Sequence, residues 1–252
     1  MYKPGLVSVT MRKLSPKEIL SLMAQTELRA IEWGGDVHVP NEQTAVEVRK
    51  MTEDSGIAIA SYGSYYHCGE EEDFGVVLRT AEALGAPNIR VWAGDKGSLE
   101  ADEAYRAKVA CDARLITAMA MSEGLTVAFE FHGGTLTDTT KSTATLMKEA
   151  ETAGLYTYWQ PPVGSRVEGN LETIGELAPL ISNVHCFEWK MVDGTCVRRP
   201  FAEGLPHWGA YFQKLHEAGK SGYALMEFVR DDDPAQLVED AAALCGLLRG
   251  DN

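Results

Sequence analysis

A single-domain (β/α)8 TIM barrel over residues 1–252 is the fold class this sequence predicts, on three observations. A β-rich run, a loop, an amphipathic helix and a glycine turn recur eight times along the chain. Runs such as IAIASY, IRVWAG and LTVAFEF are apolar at nearly every position, as parallel strands covered on both faces are. The loop after the first strand candidate, VTMRKLSPKE, lacks the G-x-G-x-x-G that opens a doubly wound dinucleotide-binding sheet.

The first strand is expected over 5–10, followed by the helix SPKEILSLMAQ. Ser15 and Glu18 form a capping box there, and Pro16 takes the first helical position. Strands follow over 30–35, 57–62 and 88–93, with Gly85 closing the helix before the last of these. DEAYRAKVACDARLITAMAMSEG has helical apolar spacing and stops at Gly124. Strands over 126–132, 156–160, 184–189 and 224–229 complete the set, with Gly154 and Gly219 closing helices between them. Each unit takes about 30 residues, the size a βαβ repeat needs.

Composition narrows the function. Asp plus Glu number 37 against 23 Lys plus Arg, a net charge of -14. Such a chain repels phosphate backbones and anionic lipid, so neither nucleic acid nor membrane is an expected partner. No apolar run approaches the roughly 18 residues of a membrane helix, and MYKPGLVSVTMRK does not read as a secretory signal. The five cysteines are scattered with no C-x-x-C, which suits the reducing cytoplasm.

In such a barrel the chemistry sits where strands run out into the following loops. An unpaired carboxylate inside an apolar strand is costly, so polar residues there carry information. VAFEFHGG holds Glu130 and His132 on one face, two positions apart. YTYWQPP ends in Gln160, NVHCFEW centres on His185, and YALMEFV carries Glu227 near its end. On consecutive strands these oxygen and nitrogen donors would converge near the barrel axis, a set that suits a divalent cation. EWGGDVHVP supplies Glu32, Asp36 and His38 near a second rim position, and one of them is expected to line the pocket. Trp33, Tyr62, Tyr65, Tyr66, Trp92 and Trp159 sit at strand ends, where their rings could pack on the C–H faces of a sugar.

FEFHGGTLTDT, YWQPPVG, SNVHCFEW, RRPFAEGLPHW and LMEFV together resemble the sugar phosphate isomerase/epimerase group of the xylose-isomerase-like barrels, which includes tagatose 3-epimerase-like and inosose-processing enzymes. The resemblance implies one divalent ion held in the order Glu, Asp, His, Glu, which falls here on Glu130, Gln160, His185 and Glu227. Mn2+ is the first expectation, with Mg2+, Co2+ or Zn2+ as alternatives. Gln160 departs from the pattern. It offers a neutral carbonyl, so the protein ligands carry about -2 rather than -3 and metal binding is expected to weaken. A His three positions further on in the family falls on Val163 here.

The resemblance further implies that Glu130 and Glu227 act as acid and base from opposite sides of the ion, moving a proton next to a carbonyl through a metal-stabilised enediolate. Arg198 and Arg199 align with a substrate-contacting segment, and His132, His38, Trp33, Tyr62 and Trp92 complete the expected substrate surround. A metal-dependent sugar or cyclitol epimerase or isomerase follows, as a homodimer or homotetramer. A keto-cyclitol dehydratase on the same site and a non-catalytic carbohydrate-binding relative are the competing readings. An apurinic endonuclease would share the barrel, but the acidic charge opposes it.

Overall fold

The computed structural model describes residues 1–70 and 72–251. Eight parallel strands close into a barrel: β1 (Tyr2–Val7), β2 (Ala30–Gly34), β3 (Ala58–His67), β4 (Asn88–Trp92), β5 (Thr126–Phe129), β6 (Leu155–Trp159), β7 (Ile181–Cys186) and β10 (Gly222–Met226). Neighbours in space follow chain order, and β10 returns to pair with β1. Outside run α1 (Pro16–Met23), α2 (Glu42–Asp54), α3 (Phe74–Leu84), α4 (Glu103–Ser122), α5 (Thr140–Ala150), α6 (Val167–Leu177), α7 (Leu205–Glu217) and α8 (Pro234–Arg249). An antiparallel hairpin, β8 (Trp189–Val192) with β9 (Thr195–Arg198), rises from the loop between β7 and α7.

Local chemistry sets the helix ends. The Ser15–Glu18 capping box is present, and the side chains of Asn41, Asp73, Asp102, Thr139 and Asp233 each accept a backbone N–H at the start of a helix. Gly85 closes α3 in the left-handed conformation, as expected. The α5 helix differs: Glu151 takes the left-handed position, three residues before Gly154. The first strand also differs, because Ser8–Met11 is a buried 3-10 turn rather than strand. The seventh lies at Ile181–Cys186, which leaves Trp189 to the hairpin.

Inside the barrel, Val7, Val9, Ala30, Ala60, Ala128, Tyr158 and Leu225 form a packed layer separate from the larger core between strands and helices. The Tyr158 hydroxyl donates to Asn88 Oδ1 and accepts from Asn183 Nδ2, at 3.2 and 2.8 Å, so the polar groups below this layer are paired. Two residues further along β2, β5, β6 and β10 the same inward face carries Glu32, in the middle of its strand, and Glu130, Gln160 and Glu227, each just past a strand end. Strand alternation therefore places a charged layer on top of an apolar plug.

Candidate active site

Four strand ends in the second half of the barrel bring their donors together. His185 Nδ1 lies 3.1 Å from Gln160 Oε1, 3.3 Å from Glu227 Oε2 and 3.8 Å from Glu130 Oε1. One ligand atom each from Glu130, His185 and Glu227 falls within 4.8 Å of the others, and all three residues are buried. The Gln160 amide nitrogen faces Glu130 Oε1 at 3.4 Å. Glu227 Oε2 is buried, faces His185 Nδ1 at 3.3 Å and makes no well-formed hydrogen bond among the described residues, an expensive state for a carboxylate oxygen unless a cation satisfies it. Two carboxylates, an imidazole and a carbonyl aimed at one point fit a hard or borderline divalent cation, and these side chains could hold one.

The two glutamates sit in different surroundings. Glu130 Oε2 accepts from Arg90 Nη1 and, at 2.9 Å, from the indole Nε1 of Trp92. Burial would favour its neutral form, but Arg90 and His185 outweigh that and hold its carboxyl below the ordinary value. Glu32 lies on the other side of Arg90, with Oε1 2.7 Å from Arg90 Nε and Oε2 2.5 Å from the Ser61 hydroxyl. Its burial is likewise overridden, first by Arg90 and then by His185, so its carboxyl stays well below the usual range. Burial depresses an imidazole pKa, yet Glu227 and Glu32 raise that of His185 to about 10. Gly63 makes room for this arrangement: a Cβ there would stand 2.6 Å from a terminal nitrogen of Arg90 and 3.0 Å from Glu32 Oε1.

Above the cluster opens a cavity of about 420 Å3, lined by Glu130, His132, Gln160, Phe187, Trp189 and Phe228 among others. That volume suits a small ligand of monosaccharide size. His132 stacks on Trp92 at 5.0 Å between ring centres, 16° from parallel, and its Nδ1 contacts the Gly133 carbonyl at 2.6 Å. Arg198 lies over the Phe228 ring at 4.8 Å and pairs with Asp232, tying the hairpin to the loop after β10. Phe228, Asp231 and Asp232 in that loop all adopt positive φ, between 52° and 61°, a strained backbone immediately after Glu227.

Four expected substrate residues lie elsewhere. Trp33 follows the inward Glu32 and so points outward, where its indole donates to Thr52 of α2 at 3.1 Å. Tyr62 is turned away by a register shift between β2 and β3: Glu32 pairs with Ser61 rather than Ala60, so Ala60 and Ser61 both serve the interior and Tyr62 donates to Val39 O instead. His38 is buried between Ser8 Oγ at 2.9 Å and Leu14 O at 3.1 Å, a structural bridge. Arg199 pairs with Glu203 four residues on, at an exposed turn.

Sequence reasoning missed Arg90, Ser61 and the hairpin, and gave Glu32 no specific task. The signal for Arg90 was present, since NIRVW buries a cation in an apolar strand just as VAFEF buries a carboxylate.

A model of the family described as xylose isomerase-like TIM barrel matches residues 20–247. A search of the curated proteins gave no match. Among solved structures, the probable 3-DHS dehydratase AsbF of Bacillus anthracis superposes with a TM-score of 0.78 at 20% identity, covering 98% of this chain and 99% of that one. A xylose isomerase-like TIM barrel protein from Mycobacterium smegmatis, in complex with magnesium, has a TM-score of 0.74 at 15% identity over 99% of both chains. L-ribulose 3-epimerase has a TM-score of 0.71 at 17% identity, over 98% of this chain and 94% of that one. At these identities the structural likeness carries the fold, and together with the family match it leads to one conclusion: the chain belongs to the xylose isomerase-like TIM barrel family.

Proposed function

We propose that the protein is a metal-dependent enzyme that moves a proton at a carbon next to a carbonyl in a small polyhydroxylated substrate. The observation that carries this is the convergence of Glu130, Gln160, His185 and Glu227 beneath a cavity of sugar size, with Glu227 Oε2 buried beside His185 and short of a well-formed hydrogen bond. A divalent ion bound there, Mn2+ first among the alternatives, supplies polarisation of the carbonyl and of an adjacent hydroxyl. The protein's own groups do the rest. Glu227 would hold the ion through the oxygen that faces His185 and take the proton from carbon with its other oxygen. His132, backed by the stacked ring of Trp92, forms one wall of the pocket, and Phe187, Trp189 and Phe228 form another that excludes water.

This reading covers an epimerase or isomerase of a free sugar or cyclitol. One observation favours the second reading, a dehydratase. Glu130 Oε2 is occupied by two donors, Arg90 and Trp92, which leaves only Oε1 to face the cluster. A carboxylate so committed is a poor partner for the two-sided proton transfer of an epimerase. A single carboxyl at Glu227 suffices for elimination, by taking the proton from carbon and returning it to the departing β-hydroxyl, which leaves as water, and also for isomerisation on one face. The solved relatives include both a probable 3-DHS dehydratase and an L-ribulose 3-epimerase, so both chemistries occur on this fold.

Incubation with Mn2+ in deuterated water, against free ketoses, keto-inositols and 3-dehydroshikimate, tests the proposal. Deuterium uptake at the carbon next to the carbonyl, without loss of water, marks epimerase or isomerase action. An ultraviolet band from a new conjugated carbonyl marks elimination. Absence of bound metal together with no uptake on any of these compounds would leave a carbohydrate-binding relative instead.

A further inference from the structure

The geometry behind the donor cluster is as ordered as the cluster itself. His185 presents Nδ1 to Gln160, Glu227 and Glu130, so its Nε2 points away from the convergence point. That nitrogen is fully buried and makes no hydrogen bond; the carboxylate it faces is Glu32, whose Oε1 is 3.6 Å away. Glu32 is fixed from both sides, by Ser61 at Oε2 and by Arg90 Nε at Oε1. Arg90 continues to Glu130 Oε2, where Trp92 Nε1 joins it. One connected chain, Ser61–Glu32–Arg90–Glu130, therefore stands behind both a nitrogen and an oxygen donor. Glu32 and Arg90 are buried and, unlike Glu130 and Gln160, do not line the cavity.

We propose that this chain is the positioning device of the metal centre described above: Glu32 aims His185 Nδ1, and Arg90 aims Glu130 Oε1, at one common point. The inference rests on the metal reading and deepens it. Ligand imidazoles depend on a carboxylate at the far nitrogen to fix tautomer and ring orientation. Here the fixed aim offsets the negative charge missing at Gln160, because ligands that need no reordering bind a cation at lower entropic cost. Glu32 and Arg90 act through His185 and Glu130 and are positioning residues.

Titration with Mn2+ alone, read from the electron paramagnetic resonance of the free ion, tests this on the full-length protein. Glu32→Gln is expected to weaken binding about 10–100-fold with an unchanged circular dichroism spectrum. Ser61→Ala, which frees Glu32 Oε2 without removing charge, is expected to weaken it a few-fold. His207→Gln, which breaks the remote His207–Glu188 contact, leaves it unchanged. A second readout separates aiming from bulk stability. In the Co2+ complex, the exchangeable Nε2–H proton of His185 gives a paramagnetically shifted resonance that persists in the wild type and broadens by exchange with water in Glu32→Gln. A folded Glu32→Gln that binds Mn2+ as the wild type does, with that resonance in place, overturns the proposal while leaving the metal reading intact. If Glu32→Gln does not fold, Ser61→Ala decides: unchanged affinity and an unchanged resonance overturn the proposal. A wild-type protein that takes up no Mn2+ overturns the metal reading, and the positioning chain with it.

Discussion

The two halves of the barrel divide the site between them. Strands β5, β6, β7 and β10 supply the convergent donors Glu130, Gln160, His185 and Glu227, and the β8–β9 hairpin supplies part of the mouth. Strands β2, β3 and β4 supply Glu32, Ser61 and Arg90, which satisfy one another and touch the donors only from behind. The second half keeps a buried carboxylate oxygen that faces the His185 ring without a well-formed hydrogen bond; the first half spends each of its charges on a neighbour. This contrast separates reactivity from order. A group that is to bind or react must be left unsatisfied by the protein, and it stays in place only if satisfied groups hold it there.

Breaking each half in turn sharpens the contrast, and the largest effect is expected on the reactive side. Glu227→Gln removes the free carboxylate and is expected to lower turnover about 10²–10⁴-fold, with little change in melting temperature. The rate of deuterium uptake, measured beside a thermal melt, checks both parts.

The opposite pattern is expected in the first half. Arg90→Met strands two buried carboxylates, Glu32 and Glu130, and should cost about 3–5 kcal/mol of stability. In a chain of this size that is a fall of roughly 10 °C in Tm, visible in a calorimetric scan.

Acidity couples the halves through His185. Its pKa of about 10 means that the metal-free imidazole is protonated at neutral pH, whereas a metal ligand must be neutral. Binding therefore expels a proton, and Mn2+ affinity should rise with pH, about tenfold per unit across the neutral range, levelling near pH 10. Isothermal titration in buffers of different ionisation enthalpy checks the proton release; a flat pH profile contradicts it.

Charge at the sixth strand is expected to matter less. Gln160→Asp adds a third carboxylate to the donor set and should tighten Mn2+ binding by something on the order of tenfold, read by the same titration. The smallest effect falls on Arg199→Ala, whose exposed pair with Glu203 contributes nothing to either half; activity and Tm should both stay at wild-type values.

The donor half was legible in the sequence because isolated polar residues in apolar strands are rare and costly. Glu130 and His185 each break an otherwise apolar run, and period-2 geometry assigns them the inner face. Gln160 was read as a strand-end donor and the resemblance gave it the family's Asp position; the structure brings its carbonyl to 3.1 Å from His185 Nδ1. The first half was harder to read. Glu32 sits beside Trp33, and only the inward turn of one forces the other outward. Tyr62 was expected in the pocket as an aromatic at a strand end, and the register shift at Ser61 turned it away. Such a shift depends on how two strands tilt against each other, which neither strand records in its own sequence. Arg199 was carried over from the resemblance and His38 from its place after the second strand, but nearby local partners, Glu203 for one and Ser8 with Leu14 O for the other, claimed them.

By itself the sequence determined the alternation of strand and helix, the capping box of the first helix, the closure into one barrel and the strand ends that carry donors. These follow from short-range periodicity and capping, whose energies are settled within a few residues. Only the tertiary structure decided which carboxylate is left free and which is committed, that Arg90 bridges Glu32 to Glu130, and that a hairpin from the loop after β7 walls the mouth. Arg90 and Glu130 are 40 residues apart, and Arg90 and Glu32 58. Partnerships over such separations are fixed by barrel closure and strand register, not by local pattern.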